Sequence, residues 1–196
     1  MGKRDHLAQV ISLIFQPPFV AAGLYAVTSI YLSGEGSTLL FFLWGLLWVT
    51  LFPLLLVWFL ARQGKVSDPD LPNRKERFLP YLTMAGFYGI AWIGYYLFRA
   101  PLPFLGITAC YLGVILVGAF ISLFWKISIH ASGLAGPVVA LCYYFSPRWA
   151  LLLVLLIPLG WARLQLGKHN FAQISAGALM SGVLTWGILL GLSYFI

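Results

Sequence analysis

Charged side chains are scarce in this chain of 196 residues, where only 9% of the positions are Asp, Glu, Lys or Arg. A soluble domain carries about 25% of such residues. Hydrophobic residues make up 61% of the chain, and the mean hydropathy is +0.92. This composition excludes a water-soluble globular domain. It predicts one integral membrane domain that spans residues 1–196.

Cysteine is almost absent as well, and the net charge does not indicate a nucleic-acid-binding protein. Cys110 and Cys142 both lie inside apolar runs, so we expect small buried hydrophobic side chains and neither a disulfide nor a metal site. The formal charge is +7, but the basic residues occupy short connections between apolar runs. That placement is typical of membrane proteins and argues against nucleic acid as a partner.

Seven apolar runs approach the length needed to cross a membrane. A hydrocarbon core about 30 Å thick requires about 20 helical residues. Backbone groups in lipid must be satisfied within the segment, which favours helices. We therefore predict an all-α, integral membrane helical bundle with about six or seven transmembrane helices. The runs are Ile11–Leu32, Leu39–Leu60, Leu79–Phe98, Leu102–Phe124, Ser128–Phe145, Trp149–Leu164 and Phe171–Phe195.

The basic residues are distributed unequally between the two sides that this alternation of spans defines. Ten fall on the side of the N-terminus and two on the other, which predicts a cytoplasmic N-terminus in a multi-pass protein of the plasma membrane, or of the inner membrane in a bacterium. Residues 1–60 would hold two N-terminal spans, and 61–78 a loop of mixed charge. The ten are Lys3, Arg4, Arg62, Lys65, Arg74, Lys75, Arg77, Lys126, Arg163 and Lys168, and the two are Arg99 and Arg148.

Two histidines and several arginines are expected to meet at one membrane face. Two spans separate the 61–78 loop from His130, and two more separate His130 from His169, so the chain returns to the same side each time. Arginine suits phosphate because its planar fork donates in parallel to two oxygens. The topology therefore predicts an anion site at this face.

Two short segments carry a family resemblance. ISIHASG (127–133) resembles the second motif of the type 2 phosphatidic acid phosphatase (PAP2) superfamily, through Ser128 and His130. ARLQLGKHNFAQ (162–173) is similar to the third motif, through Arg163 and His169, although Gln173 stands where the family has aspartate. The first motif has no clean match: Arg77 or Arg74 would supply its arginine. The resemblance implies a PAP2-like core within residues 79–196.

The resemblance also implies a reaction and a set of roles. His169 would attack phosphorus and form a phosphohistidine, His130 would be the general acid, and the Gln173 carbonyl would fix the tautomer of His169. The substrate would be a lipid phosphate or a polyprenyl phosphate or diphosphate among membrane lipids, and neither a metal nor another cofactor is needed. The phosphoryl oxygens would be held by Arg163, Ser128 and one or both of Arg77 and Arg74, with backbone N–H groups of the fifth span.

Other interpretations remain open at the level of sequence. Gln173 and the divergent first motif also suit a catalytically weak or inactive PAP2-like protein that binds lipid or acts as a scaffold. VSDPDLPNRKER could instead be the diphosphate–Mg²⁺ loop of a prenyltransferase, but a second acidic cluster is missing. His130 could be a buried structural histidine, and the arginines could be interfacial anchors. The oligomeric state is left open.

Overall fold

The computed structural model describes residues 2–34, 36–68 and 70–195, and every regular element in these ranges is helical. The all-α prediction is therefore confirmed. A π-helical turn, Leu46–Leu51, joins α3 to α4, and 3₁₀ segments at Arg74–Glu76 and Pro147–Leu155 precede α5 and α8. The α-helices are α1 (Lys3–Ile14), α2 (Pro17–Tyr31), α3 (Thr38–Gly45), α4 (Phe52–Arg62), α5 (Phe78–Leu97), α6 (Leu102–Phe124), α7 (Ile129–Tyr144), α8 (Leu156–Gln165) and α9 (Phe171–Phe195).

Four continuous helical stretches of the described residues are long and apolar enough to cross a membrane, and α1 with α2 makes a fifth if the bent pair is one span. The structure is thus consistent with a multi-pass helical bundle, while the count of six or seven spans stays a prediction. Two helices fall outside this set: α7 has only 16 residues, and the 20 residues of α5 include four tyrosines and three glycines. The four stretches are Thr38–Arg62, Leu102–Phe124, Pro147–Gln165 and Phe171–Tyr194.

The first predicted span is broken. Pro17 and Pro18 begin α2, and the axis turns by 45° between α1 and α2. Proline has no N–H to donate and suits the first turn of a helix, so the break falls where the pair begins. The turn lets α1 pack against α8, near the predicted third motif.

The core is rich in aromatic side chains. Tyr25 of α2 stacks near Tyr95 of α5 and Phe104 of α6, and its hydroxyl lies 2.6 Å from Thr108 Oγ1. Cys110 is buried and Cys142 is partly exposed, and both thiols are free. The absence of a disulfide between them is as expected, whereas burial holds for Cys110 alone.

Helices α7 and α9 approach closely along a seam of small residues. A Cβ added at Gly177 of α9 would lie 2.4 Å from the Ser128 carbonyl oxygen, so only glycine allows this approach. Ser132 Oγ lies 2.9 Å from the Gly177 oxygen, and the Ser128 N–H donates to the Gln173 carbonyl at 3.1 Å. Small residues and interhelical hydrogen bonds are the usual means of close packing in membranes. The seam brings the starts of α7 and α9 together, and with them both predicted motifs.

Candidate functional site

Polar side chains from five segments converge where α1, α7, α8 and α9 meet the loop between α4 and α5. Arg163 at the end of α8 bonds to Asp70 of that loop and to Ser12 of α1. Lys168, just before α9, pairs with Asp68 at 3.1 Å. The 61–78 loop and the segment around Arg163 and Lys168, which the sequence predicted to lie at the same membrane face, therefore contact each other.

Arg163 is buried, with 1% of its surface exposed, and Nη1 of its guanidinium makes two hydrogen bonds. Nη1 donates to Asp70 Oδ2 at 2.8 Å and to Ser12 Oγ at 2.5 Å. Nε has no hydrogen-bond partner among the described residues. A buried donor left unpaired costs about 1–3 kcal/mol, and more when it is charged. Asp70 and Ser12 thus orient the guanidinium and leave its Nε unoccupied.

The structure distinguishes the two arginines that the sequence left as alternatives. Arg77 is buried, and it donates from Nε to the Leu71 carbonyl and from Nη1 to the Ile127 carbonyl, both at 2.7 Å. Arg74 is partly exposed and donates from Nη1 to the Leu123 carbonyl at the end of α6. Arg77 therefore belongs to the buried site, and Arg74 lies at its edge.

Gln173 fixes the tautomer of His169. Its Oε1 lies 3.2 Å from His169 Nδ1 and also accepts the Asn170 N–H at 3.2 Å, while Asn170 Oδ1 accepts the Gln173 N–H at 2.9 Å. This reciprocal pair is a capping box at the start of α9. A backbone N–H can only donate, so the side-chain atom facing it is the oxygen of Gln173, and Nδ1 must carry the proton that Oε1 accepts. Nε2 of a neutral His169 is then free of a proton.

His130 lies beside Asp70. Its Nε2 is 3.9 Å from Asp70 Oδ1, beyond hydrogen-bond distance, and has no partner in the described part of the chain. The residue is 6% exposed. The imidazole is therefore close to a carboxylate and still has an unsatisfied ring nitrogen.

Ser128 holds the start of α7. It is fully buried, and its Oγ accepts the Ala131 N–H at 3.4 Å as the N-cap of the helix. The cap fixes the first turn of α7, which carries His130. Ser128 thus has a positioning contact in the structure, and its predicted bond to phosphate stays a prediction.

The charges in this cluster are unbalanced. Lys126 interacts electrostatically with Arg77, Arg163 and Lys168. Two carboxylates, Asp68 and Asp70, pair with Lys168 and Arg163. Four cations and two carboxylates leave an excess of two positive charges in this cluster, which favours the binding of an anion.

Burial and the charges of Arg163, Arg77 and Lys126 lower the pKa of His169 to about 3. His169 is consequently neutral at pH 7. Burial raises the pKa of the Asp70 carboxyl, but His130 when protonated, Arg163 and Lys168 outweigh burial and hold this pKa below its ordinary value. The site therefore combines an ionised carboxylate with an unprotonated imidazole.

Two residues of the site carry no usable signal in the sequence. Asp70 falls where the first family motif has lysine, so its charge is opposite to the expected one. Ser12 lies on α1, which the resemblance does not cover. In the described ranges, His, Cys, Asp and Glu side chains form no group of three or more that could hold a metal ion. Comparisons with protein-family models, with curated proteins and with solved structures found no significant match.

Proposed function

We propose that this chain is a membrane-embedded phosphatase that hydrolyses a lipid phosphate through a phosphohistidine intermediate. The observation that carries the proposal is that His169, with an unprotonated Nε2, and buried Arg163, whose Nε has no partner among the described residues, lie in one cationic cluster. Ionisable groups buried in a membrane protein are expensive and mark functional sites by default. The resemblance in 127–133 and 162–173 supports the same chemistry.

In the first step, His169 Nε2 attacks phosphorus and the P–N bond forms. The ester P–O bond breaks on the opposite side, and the leaving oxygen takes a proton from the imidazolium form of His130, whose positive charge Asp70 stabilises. Arg163, Arg77 and Lys126 stabilise the phosphoryl oxygens, since phosphoryl transfer depends mainly on positioned positive charge.

In the second step, a water molecule gives a proton back to His130 and its oxygen attacks phosphorus. The P–N bond breaks, inorganic phosphate leaves, and His169 regains its starting state. Gln173 orients the imidazole but adds no negative charge when that ring becomes cationic. In a serine-protease triad, asparagine in place of aspartate lowers the rate about 10⁴-fold because the tautomer is wrong. Here the tautomer suits attack, so we expect a smaller loss.

Lipid binding without turnover is the second candidate, and the Arg163–Asp70 ion pair favours it. A carboxylate already neutralises one guanidinium nitrogen, which weakens the attraction for a phosphate. The prenyltransferase interpretation has less support, because Asp68 and Asp70 are engaged by Lys168 and Arg163.

Phosphate release from lipid phosphates by the purified protein tests the proposal. His169→Ala should lower the rate by about 10³-fold or more, because it removes the nucleophile. His6→Ala is the matched control, since His6 is exposed on α1. Equal rates in wild type and His169→Ala would contradict the phosphatase. Saturable binding of the lipid phosphate without release would favour the second candidate.

We also propose that this site lies at the cytoplasmic face, on the basis of the ten-to-two distribution of basic residues. In a variant without Cys110 and Cys142, a cysteine at Lys65 should be protected from an impermeant thiol reagent in whole cells. A cysteine at Arg99 should be labelled. The reverse pattern would place the site outside.

A further inference from the structure

An apolar cavity of about 500 Å³ lies next to the candidate site, between α2, α4, α5, α6 and α7. Ligand sites in proteins usually measure about 300–1,000 Å³ and combine apolar walls with a few polar groups. Most of the wall is hydrocarbon, and Asp70 and His130 belong to the lining. The apolar lining includes Leu54, Val57, Trp58, Met84 and Ile115.

The polar lining includes an unsatisfied group that points to a ligand. His130 is 6% exposed, and its Nε2 has no hydrogen-bond partner in the described ranges. Asp70 Oδ1 lies 3.9 Å away. A neutral oxygen-bearing group between the two would satisfy the imidazole and could also donate to the carboxylate.

We infer that this cavity receives the hydrocarbon chain of the leaving alcohol, with the ester oxygen at His130 Nε2 and the phosphorus on the side of Arg163 and His169. The inference rests on the proposed function. The proton from His130 passes to the ester oxygen as the P–O bond breaks, and the product is a neutral alcohol whose hydroxyl lies beside Asp70.

The charge of Asp70 selects the substrate class. A diphosphate would place a second phosphate, as an anionic leaving group, next to this carboxylate, and repulsion between like charges opposes that arrangement. An alcohol leaves as a neutral molecule. The site is therefore specific for the phosphate monoester of an apolar alcohol over the corresponding diphosphate. Helices α2 and α4, which the resemblance does not cover, set the preference for the chain.

Val57→Phe tests the chain site, because Val57 lines the cavity and the larger ring would fill part of it. We expect kcat/KM for hexadecyl phosphate to fall about tenfold, which corresponds to the lost burial of roughly two methylene groups. The rate with butyl phosphate should fall by a smaller factor, because a short chain fills less of the cavity. Val183→Phe is the matched control, since Val183 on α9 is 71% exposed. Equal losses with both substrates, or no loss with hexadecyl phosphate, would overturn the inference.

A second measurement separates this inference from the proposed function. In His169→Ala, a long-chain alcohol with a photoreactive group in its chain should label the lining of α4 and α5, and unlabelled alcohol should compete. Labelling without phosphate release from any substrate by the wild type would contradict the phosphatase and leave the chain site standing. Phosphate release without labelling of these helices would overturn the chain site alone.

Discussion

At the scale of single residues, the ion pair with Asp70 stabilises the buried positive charge of Arg163. A buried cation is costly unless it is paired and hydrogen-bonded. Asp70 and Ser12 supply the partners of Nη1, and they come from segments far from Arg163 in sequence. The interaction therefore stabilises the attachment of the α4–α5 loop and of α1 to α8.

Removal of the Asp70 charge should destabilise the protein. Breaking a fully buried ion pair costs about 3–5 kcal/mol. Because the Asp70 side chain is 17% exposed, we expect a loss of about 2 kcal/mol in the free energy of unfolding for Asp70→Asn. Asp68→Asn is the matched control: its pair with Lys168 is more exposed and should be worth less than about 1 kcal/mol. Denaturant unfolding in detergent measures both, and equal losses would refute the assignment.

The contact between Gln173 and His169 leads to a separate prediction about the rate of phosphate release. Gln173→Glu keeps the length of the side chain and places a carboxylate at His169 Nδ1, and glutamate also suits the capping box. A carboxylate within about 4–6 Å raises an imidazole pKa by about 1–3 units, so stabilising the cationic intermediate should increase phosphate release about tenfold or more. Gln63→Glu, on an exposed residue, is the control. An unchanged or lower rate would show that charge at this position does not limit the reaction.

At the scale of elements, the seam between α7 and α9 determines whether the two motifs meet. Gly177 touches the backbone of Ser128, and the Ser128 N–H bonds to the Gln173 carbonyl. The positions of His130 and His169 relative to each other therefore depend on a contact between α7 and α9 in which neither histidine takes part.

Gly177→Ala should disrupt this contact. The added methyl group would meet the Ser128 carbonyl oxygen at 2.4 Å, so the helices must separate at a cost of about 1–3 kcal/mol. Phosphate release should fall in parallel, because the starts of α7 and α9 move apart. Gly187→Ala on the same helix meets no atom within 4 Å and should stabilise the protein by about 0.5–1 kcal/mol. Thermal unfolding and activity of the two variants check the prediction, and similar behaviour of both would contradict it.

The helices could be predicted from the sequence because a long apolar run in a membrane protein has one favourable backbone structure. Long apolar runs predict helices, and α6 matches its predicted range of Leu102–Phe124. The sequence also predicted that the 61–78 loop would meet the His130 and His169 segments, and Asp70 of the loop lies beside His130 and bonds to Arg163. The number of spans between these segments stays a prediction. The bend at Pro17 has a sequence signal in the proline pair, but its direction depends on packing.

The partners of Arg163 lay beyond such reasoning, because pairing between distant segments is a property of tertiary structure. Ser12 is an ordinary serine within an apolar helix, and nothing local indicates that its hydroxyl meets a guanidinium. Asp70 stands where the family resemblance predicts lysine, and nothing local indicates that its carboxylate pairs with Arg163.

At the scale of the whole molecule, large apolar side chains are exposed at the exterior, whereas charged side chains of the candidate site are buried. Many large apolar side chains are exposed, including Leu151 at 78% and Ile157 at 70%, which suits contact with lipid. Arg77, Arg163 and His169 are buried instead. Because burial shifts the pKa of an ionisable group between the folded and unfolded states, we expect the free energy of unfolding to depend on pH through the buried site.

Acid should destabilise the protein through His169. The pKa of this group is about 3 in the folded protein and about 6.5 when unfolded. The unfolded state binds the proton more readily between these values, so stability is complete above about pH 6.5 and declines as the pH falls toward about 3. At pH 5 the loss should be on the order of 2 kcal/mol relative to pH 7.

His169→Gln isolates this contribution, because the variant cannot titrate at this position. The difference in unfolding free energy between wild type and His169→Gln should change by that amount from pH 7 to pH 5. His6→Gln should follow the wild type, since His6 is exposed. Parallel pH profiles for wild type and His169→Gln would show that His169 is not neutral and buried in the folded state.

The oxygen of Gln173 has two tasks, since it caps α9 and accepts the His169 proton. Helix ends fray, and each time the first turn of α9 opened, His169 would lose the bond that keeps its tautomer. If His169 is the nucleophile that we propose, folding of one helical turn and readiness of that nucleophile are a single event. Amide exchange at Asn170 and Gln173 should then report the fraction of molecules in which His169 holds the tautomer that the proposed attack requires.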